Sequence, residues 1–112
     1  MNSDNVPEKP LDFIKDCVRN GNIYWTYHVN MRMKDRFISR QMIINGIDTY
    51  EIIEYYPGDR FLPSYLLYSR SDNVIFHIVF AVDLADNNVR VVTAYRPDPL
   101  MWENDLKNRR SL

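Results

Sequence analysis

The stretch Val74–Leu84, reading VIFHIVFAVDL, is apolar on both of its alternating faces, with only His77 and Asp83 as exceptions. A β-strand sends successive side chains to opposite sides, so such a strand has to be covered twice. The pattern predicts a central strand with neighbours at both edges. Turn-forming residues frame it, Ser71-Asp72-Asn73 on one side and Asp86-Asn87-Asn88 on the other. Tyr65–Arg70 and Val89–Tyr95 read as its partner strands. Glu51–Tyr56 reads as a further strand, closed by the turn Pro57-Gly58-Asp59-Arg60. Consecutive strands joined by short turns predict antiparallel pairing.

The first half of the chain supplies cover for this sheet. Leu11, Phe13, Ile14, Cys17 and Val18 follow helical spacing, and Gly21 stands where a left-handed cap is wanted, which predicts a helix over 11–20. Ile23–Thr26 is short, aromatic and β-branched, and reads as a strand. Val29, Met33 and Phe37 form a row at i, i+4 and i+8, predicting a second helix over Tyr27–Phe37. Ser39 caps a third, whose stripe is Ile43, Ile47 and Tyr50; Gly46 lies inside it at a cost of about 1 kcal/mol against alanine. Asp98 followed by Pro99 predicts a last helix to about Lys107, anchored by Trp102. The predicted fold class is α+β, with helices packed on one antiparallel sheet. Its order is helix, strand, helix, helix, four strands, helix, in one domain over 11–110 after a loose lead-in over 1–10.

Totals exclude several function classes. A length of 112 residues fits one domain, and 46% hydrophobic residues with eight Tyr, five Phe and two Trp suffice for a packed core. Three Gly leave no glycine-rich phosphate loop. The formal net charge of −1 gives no global field toward nucleic acid, so any such role must rest on a local patch. One Cys allows no internal disulfide, and its place on the apolar side of the first helix reads as a core thiol. Two scattered His lack metal-ligand spacing, so neither metal nor cofactor is expected. No leader and no apolar run near ~18 residues are visible, which makes the cytoplasm the expected location and a membrane partner unexpected.

Chemistry is concentrated in three places. His28, Arg32 and Arg36 stack on one helix face, with Arg40 near the end of the row; forked guanidinium donors match phosphate oxygens. The alternative is a solvated basic face. His77 interrupts an apolar strand, either as a hydrogen-bonded core imidazole or as a proton-transfer group facing a cleft with the basic helix. Thr93, Tyr95 and Arg96 end the last strand, where sites are common; sheet packing and an ion pair are the plain alternative.

The run His28 to Arg36 followed by Phe37-Ile38-Ser39 resembles the pattern His-x3-Arg-x3-Arg-x-Ile-Ser. With Glu51–Pro57, His77-Ile78-Val79, Val92–Pro99, Trp102-Glu103 and Arg109, the set is similar to the family called domain of unknown function 4258 over about residues 22–110. After the second arginine that family usually has Gly, where this chain has Phe37. The resemblance implies a fold like the small ribonuclease toxins of the RelE and barnase types, and toxin halves of toxin–antitoxin pairs. Three readings follow: a metal-independent endoribonuclease using His28, Arg32, Arg36, His77 and Tyr95 as catalytic groups, with Arg40, Thr93 and Arg96 holding RNA; a silent interaction module for a small antitoxin-like protein; or a homodimerising domain.

Overall fold

A computed structural model describes residues 6–58 and 62–111. The helix α1 (Pro10–Arg19) is followed by β1 (Ile23–Trp25), α2 (Tyr27–Asp35) and α3 (Arg40–Asn45). A 3₁₀ turn (Ile47–Thr49) then leads into β2 (Glu51–Tyr56), β3 (Ser64–Ser71), β4 (Val74–Asp83) and β5 (Asn88–Tyr95). The five strands form one sheet in the order β1-β5-β4-β3-β2. The meander from β2 to β5 is antiparallel, as its short turns predict. The turn after Tyr56 begins at Pro57-Gly58; Asp59 and Arg60 lie outside the described residues. β1 corrects the expectation of a wholly antiparallel sheet: it pairs with β5 in parallel, Ile23 opposite Val89 and Trp25 opposite Val91. It runs between two helices that pack on the same face, and their placement sets its direction.

β4 is flanked on both edges and buried along most of its length, as its two-sided pattern requires. Phe76, Ile78, Phe80 and Val82 meet Ile14, Cys17, Val18, Val29, Met33 and Ile43 from the helices. Val79 lies in a smaller cluster with Leu66 and Trp102, joined by Ile53, Tyr56, Tyr95 and Leu106. Asp83, the acidic exception, is engaged structurally: Arg90 Nη2 donates to one of its oxygens (3.1 Å) and the Asp86 N–H to the other (3.2 Å).

Two further expectations are corrected. The third helix is not continuous: α3 ends at Asn45, with Gly46 as its cap. A Cβ at Gly46 would collide with Ser69 Oγ and stand 3.0 Å from the Arg70 carbonyl oxygen. That close approach to β3 ends the helix, and the Tyr50 hydroxyl ties the 3₁₀ turn back by donating to Ile43 O (2.7 Å). The last helix is absent. Asp98 starts one turn, accepting from Met101 and Trp102 N–H groups (2.9 and 3.1 Å). The chain then reverses, and Trp102 pairs with Arg109 in an antiparallel bridge. Asp105 holds the reversal by accepting from the backbone N–H groups of Lys107 and Asn108, and Leu106 takes a left-handed φ of 58°. Local side-chain bonding of this kind competes with helix.

Helices α1 and α2 close in the same way, with different residues. After α1, Asn22 N–H donates to Cys17 O (2.8 Å) around Gly21 at φ 78°. After α2, Ile38 N–H donates to Met33 O (2.9 Å) and Phe37 N–H to Lys34 O (3.2 Å), with Phe37 at φ 57°. Both are Schellman closures, in which the left-handed position favours glycine. The Phe37 ring is 79% exposed and returns little packing for its strain. Left-handed backbone costs an L-residue about 1–2 kcal/mol, against about 0.5–1 for glycine's extra freedom when unfolded. Phe37→Gly is therefore expected to stabilise the fold by about 0.5–1 kcal/mol. Thermal unfolding should show a Tm raised by a few degrees; a lowered Tm would mean that the ring packs more than its exposure indicates.

Candidate functional site

Two bulges decide which side chains share a face of the sheet. In β5, Val91 pairs with Phe80 and Thr93 with Val79, so Val92 is the extra residue. Without that insertion Thr93 and Tyr95 would continue the face of Val89 and Val91 into the helical core. With it, Tyr95 stands opposite His77. In β2, Ile52 pairs with Leu67 and Glu54 with Leu66, and the extra residue is Ile53. This insertion turns Glu54 from the helical side to the side of Leu66, Val79 and His77. Bulges commonly re-aim side chains beside functional sites.

The resulting face carries Glu54, Tyr56, His77 and Tyr95, with the C-terminal segment across it. His77 is fully buried. Its ring lies edge-on to Trp102 (4.6 Å between centroids) and to Tyr95 (5.5 Å). His77 Nε2 is 2.7 Å from the Leu106 carbonyl oxygen. A carbonyl only accepts, so Nε2 carries the hydrogen, and in the neutral ring Nδ1 is left as a bare lone pair. That atom is buried without a partner. Burial lowers the pKa of His77 from 6.5, only partly opposed by the bond to Leu106 and the charge of Glu54. Arg109 grips Glu54 with Nε and Nη2 (2.6 and 3.0 Å) and lies over the Trp102 ring at 4.5 Å. Those hydrogen bonds lower the pKa of Glu54, with a further one from the Tyr56 hydroxyl. Burial, aided by the carboxylate, raises the Tyr56 phenol to about 12.

The basic row on α2 joins this face at one end only. Four residues of α-helix turn a side chain about 40° past a full circle, so the row drifts around the helix. Arg36 ends up against β5, whereas His28 and Arg32 are exposed. Arg36 Nη1 donates to Ala94 O (2.8 Å) and Thr93 Oγ1 (3.2 Å), satisfying part of a strand edge that β1 is too short to cover. Arg36, Thr93, Tyr95 and His77 thus form one chain of neighbours. His28 has a ring contact with Tyr27 (6.0 Å), and no polar contact links it or Arg32 to that chain. Arg40 folds back, its Nε donating to Asn30 Oδ1 (3.0 Å) and its guanidinium over Trp25 (5.1 Å). Arg96 is exposed.

Each bulge moves the residues after it to the other face, so sequence reasoning missed Glu54, Tyr56 and Arg109 as neighbours of His77. The signal present in the sequence is that Glu51-Ile52-Ile53-Glu54 breaks a period of two. Among the described residues no three His, Cys, Asp or Glu side chains gather as metal ligands. No described helix is long and apolar enough to cross a membrane.

The model of a family described as a domain of unknown function, DUF4258, matches residues 25–96, more than half of the chain. The chain belongs to this family. Both bulges, the α2 row, His77 and Arg96 lie within the DUF4258 match, and the segment that covers His77 lies beyond it. No curated protein and no solved structure gives a significant match.

Two outcomes are expected. Trp102→Ala should cost about 3–5 kcal/mol, because the indole is 3% exposed and walls the cluster of Leu66, Val79 and His77; denaturant unfolding measures it, and an unchanged midpoint would refute the anchor. His77 is held neutral when folded, so below pH 6.5 the unfolded chain binds a proton that the native one does not. Stability should therefore fall as pH drops through 6.5. His77→Gln keeps a donor for Leu106 O and does not titrate, so its Tm should be flatter between pH 7.5 and 5.5 by calorimetry.

Proposed function

We propose that the domain binds single-stranded RNA along the surface of α2 and the adjoining edge of β5, and cleaves it without a metal. The observation that carries this reading is the charge along α2, its cap and the start of α3. Among the described residues, Arg32, Lys34, Arg36 and Arg40 are clustered within 32–40 without a carboxylate partner, whereas the other cations are either paired, as Arg19, Arg90, Lys107, Arg109 and Arg110 are, or scattered, as Lys9, Lys15, Arg70 and Arg96 are. Unpaired guanidinium groups beside exposed Tyr27 and Phe37 suit phosphates and unstacked bases. In such cleavage the 2′-oxygen attacks phosphorus while a base takes its proton, and an acid protonates the departing 5′-oxygen. His28, exposed at the head of the row, is placed to contact a phosphate, and His77 is the second imidazole. Arg32 and Arg36, with Arg40, would bind phosphates; Thr93, Tyr95 and Arg96 stand at the end of β5 where the substrate would continue, with His77 buried opposite Tyr95. Kinship with RelE-like and barnase-like toxins, which the family resemblance implies, is an analogy of fold and supports the same chemistry.

A second reading has its own observation. Tyr27 and Phe37 are 73% and 79% exposed, and a basic surface with such apolar groups also fits an acidic protein, as an antitoxin-like partner or a second copy would need. The test is labelled single-stranded RNA with purified protein in chelator. Arg32→Ala should weaken binding about fivefold and shrink the salt dependence by about 0.7 in log–log slope. His28→Ala should weaken binding about twofold and leave cleavage of bound RNA in place, whereas His77→Gln should abolish cleavage and leave binding within about twofold. If the wild type neither binds nor cuts RNA, the partner-binding reading takes its place.

A further inference from the structure

The segment Asp98–Arg110 adds no strand or helix to the fold, yet it closes the one face on which Glu54, His77 and Tyr95 meet. Its two limbs are held differently. The outgoing limb places Trp102 in the cluster with Leu66 and Val79. The return limb, Asn104–Arg110, packs through Leu106 and is otherwise tied down by polar contacts. Three backbone bonds join it to the outgoing limb, Glu103 N–H to Asn108 O (2.7 Å), Leu106 N–H to Glu103 O (2.8 Å) and Arg110 N–H to Met101 O (2.9 Å), and the Arg110 side chain adds bonds to Pro99 O and Glu103. Toward the sheet, Lys107 Nζ meets Glu51 (2.7 Å) and lies over the Tyr68 ring (4.7 Å), Arg109 meets Glu54, and Leu106 O receives His77 Nε2. The Lys107–Glu51 pair is exposed and contributes little in water, whereas the two-pronged Arg109–Glu54 pair is partly buried and is the stronger tie. Asp105 keeps the turn of the limb folded on itself through three bonds, so it can move as a unit.

We propose that this return limb is a lifting cover over an acid–base site formed by Glu54, His77 and Tyr95, and that RNA phosphates open it by competing for Lys107 and Arg109. The closed form already contains stand-ins for a substrate. Leu106 O occupies the position in front of Nε2 where an oxygen of a bound phosphodiester would sit. Arg109 occupies the lone pairs of Glu54 that would take a proton. The buried, unpartnered Nδ1 is what a permanently packed histidine does not need. Lifting the limb frees the Glu54 carboxylate and lets Nδ1 take a proton from water, so the ring becomes an imidazolium. Glu54 then accepts the 2′-hydroxyl proton as the 2′-oxygen bonds to phosphorus. The bond from phosphorus to the 5′-oxygen breaks, and that oxygen receives the Nε2 proton. The products are a 2′,3′-cyclic phosphate and a 5′-hydroxyl.

The proposal rests on the RNA reading for its substrate, so the cover is tested without RNA. Diethyl pyrocarbonate acylates an accessible neutral imidazole, and peptide mapping by mass separates His77 from His28, which serves as the exposed reference. In wild type at low salt His77 should react at least about tenfold more slowly than His28. Lys107→Ala/Arg109→Ala, checked for cooperative unfolding, should speed His77 at least tenfold and leave His28 unchanged. Should that variant not fold, the single variants Lys107→Ala and Arg109→Lys serve, each of which loosens one tie. A His77 that stays protected in whichever of these variants folds overturns the cover, as does a His77 as reactive as His28 at the outset. RNA cleavage by the same proteins is scored separately: an opened His77 with no cleavage overturns the ribonuclease reading and leaves the cover standing.

Discussion

β4 has to be dry on both faces, and the rest of the molecule is arranged around that requirement. Three helices cover one side with an ordinary apolar core. The other side has no regular element, and its cover is a single indole, a tyrosine and a looped segment held by two cations. This asymmetry separates structure from chemistry. The helical side contains Phe76, Ile78, Phe80 and Val82 and little that can titrate. The opposite side concentrates a carboxylate, an imidazole, two phenols and a guanidinium. Dispersion and hydrophobic burial stabilise the first. Paired polar groups in a partly desolvated layer define the second, where each partner shifts the proton affinity of its neighbours.

The parts of the fold legible in the sequence are those where a local pattern agrees with its surroundings. The two-sided run of β4, the hairpin turns and the α1 stripe closing on Gly21 all had their period and boundaries in plain view. What remained hidden depended on a distant partner. Gly46 ends α3 because β3 passes close to it, a fact no helical periodicity contains. Asp98-Pro99 announces a helix that continues for one turn only, since Trp102 and Arg109 gain more by bridging over the sheet. The direction of β1 is set by neighbouring helices and not by its own three residues.

For the candidate site the same division holds. His77 stood out as a polar residue in an apolar strand and was grouped with His28, Arg32, Arg36 and Tyr95; of these, Tyr95 packs edge-on to His77, and Arg36 reaches the same strand end through Thr93. His28 and Arg32 share their helix row with Arg36, but rotation along the helix carries them outward to solvent. Glu54 and Arg109 escaped notice because each bulge shifts the alternation by one residue, and a shift of one exchanges faces.

The strand order has a consequence for how the molecule comes together in time. β2 to β5 can zip up as successive hairpins between neighbours in the chain, each closing a short loop. β1 instead waits for β5, with the whole of the remaining sheet lying between them in sequence. Arg36 waits as well, for its acceptors are Thr93 and Ala94. Closing so long a loop is entropically slow compared with the hairpins. On loop-closure entropy alone, the contacts that fix the basic surface of α2 to β5 are expected to form later than the hairpins.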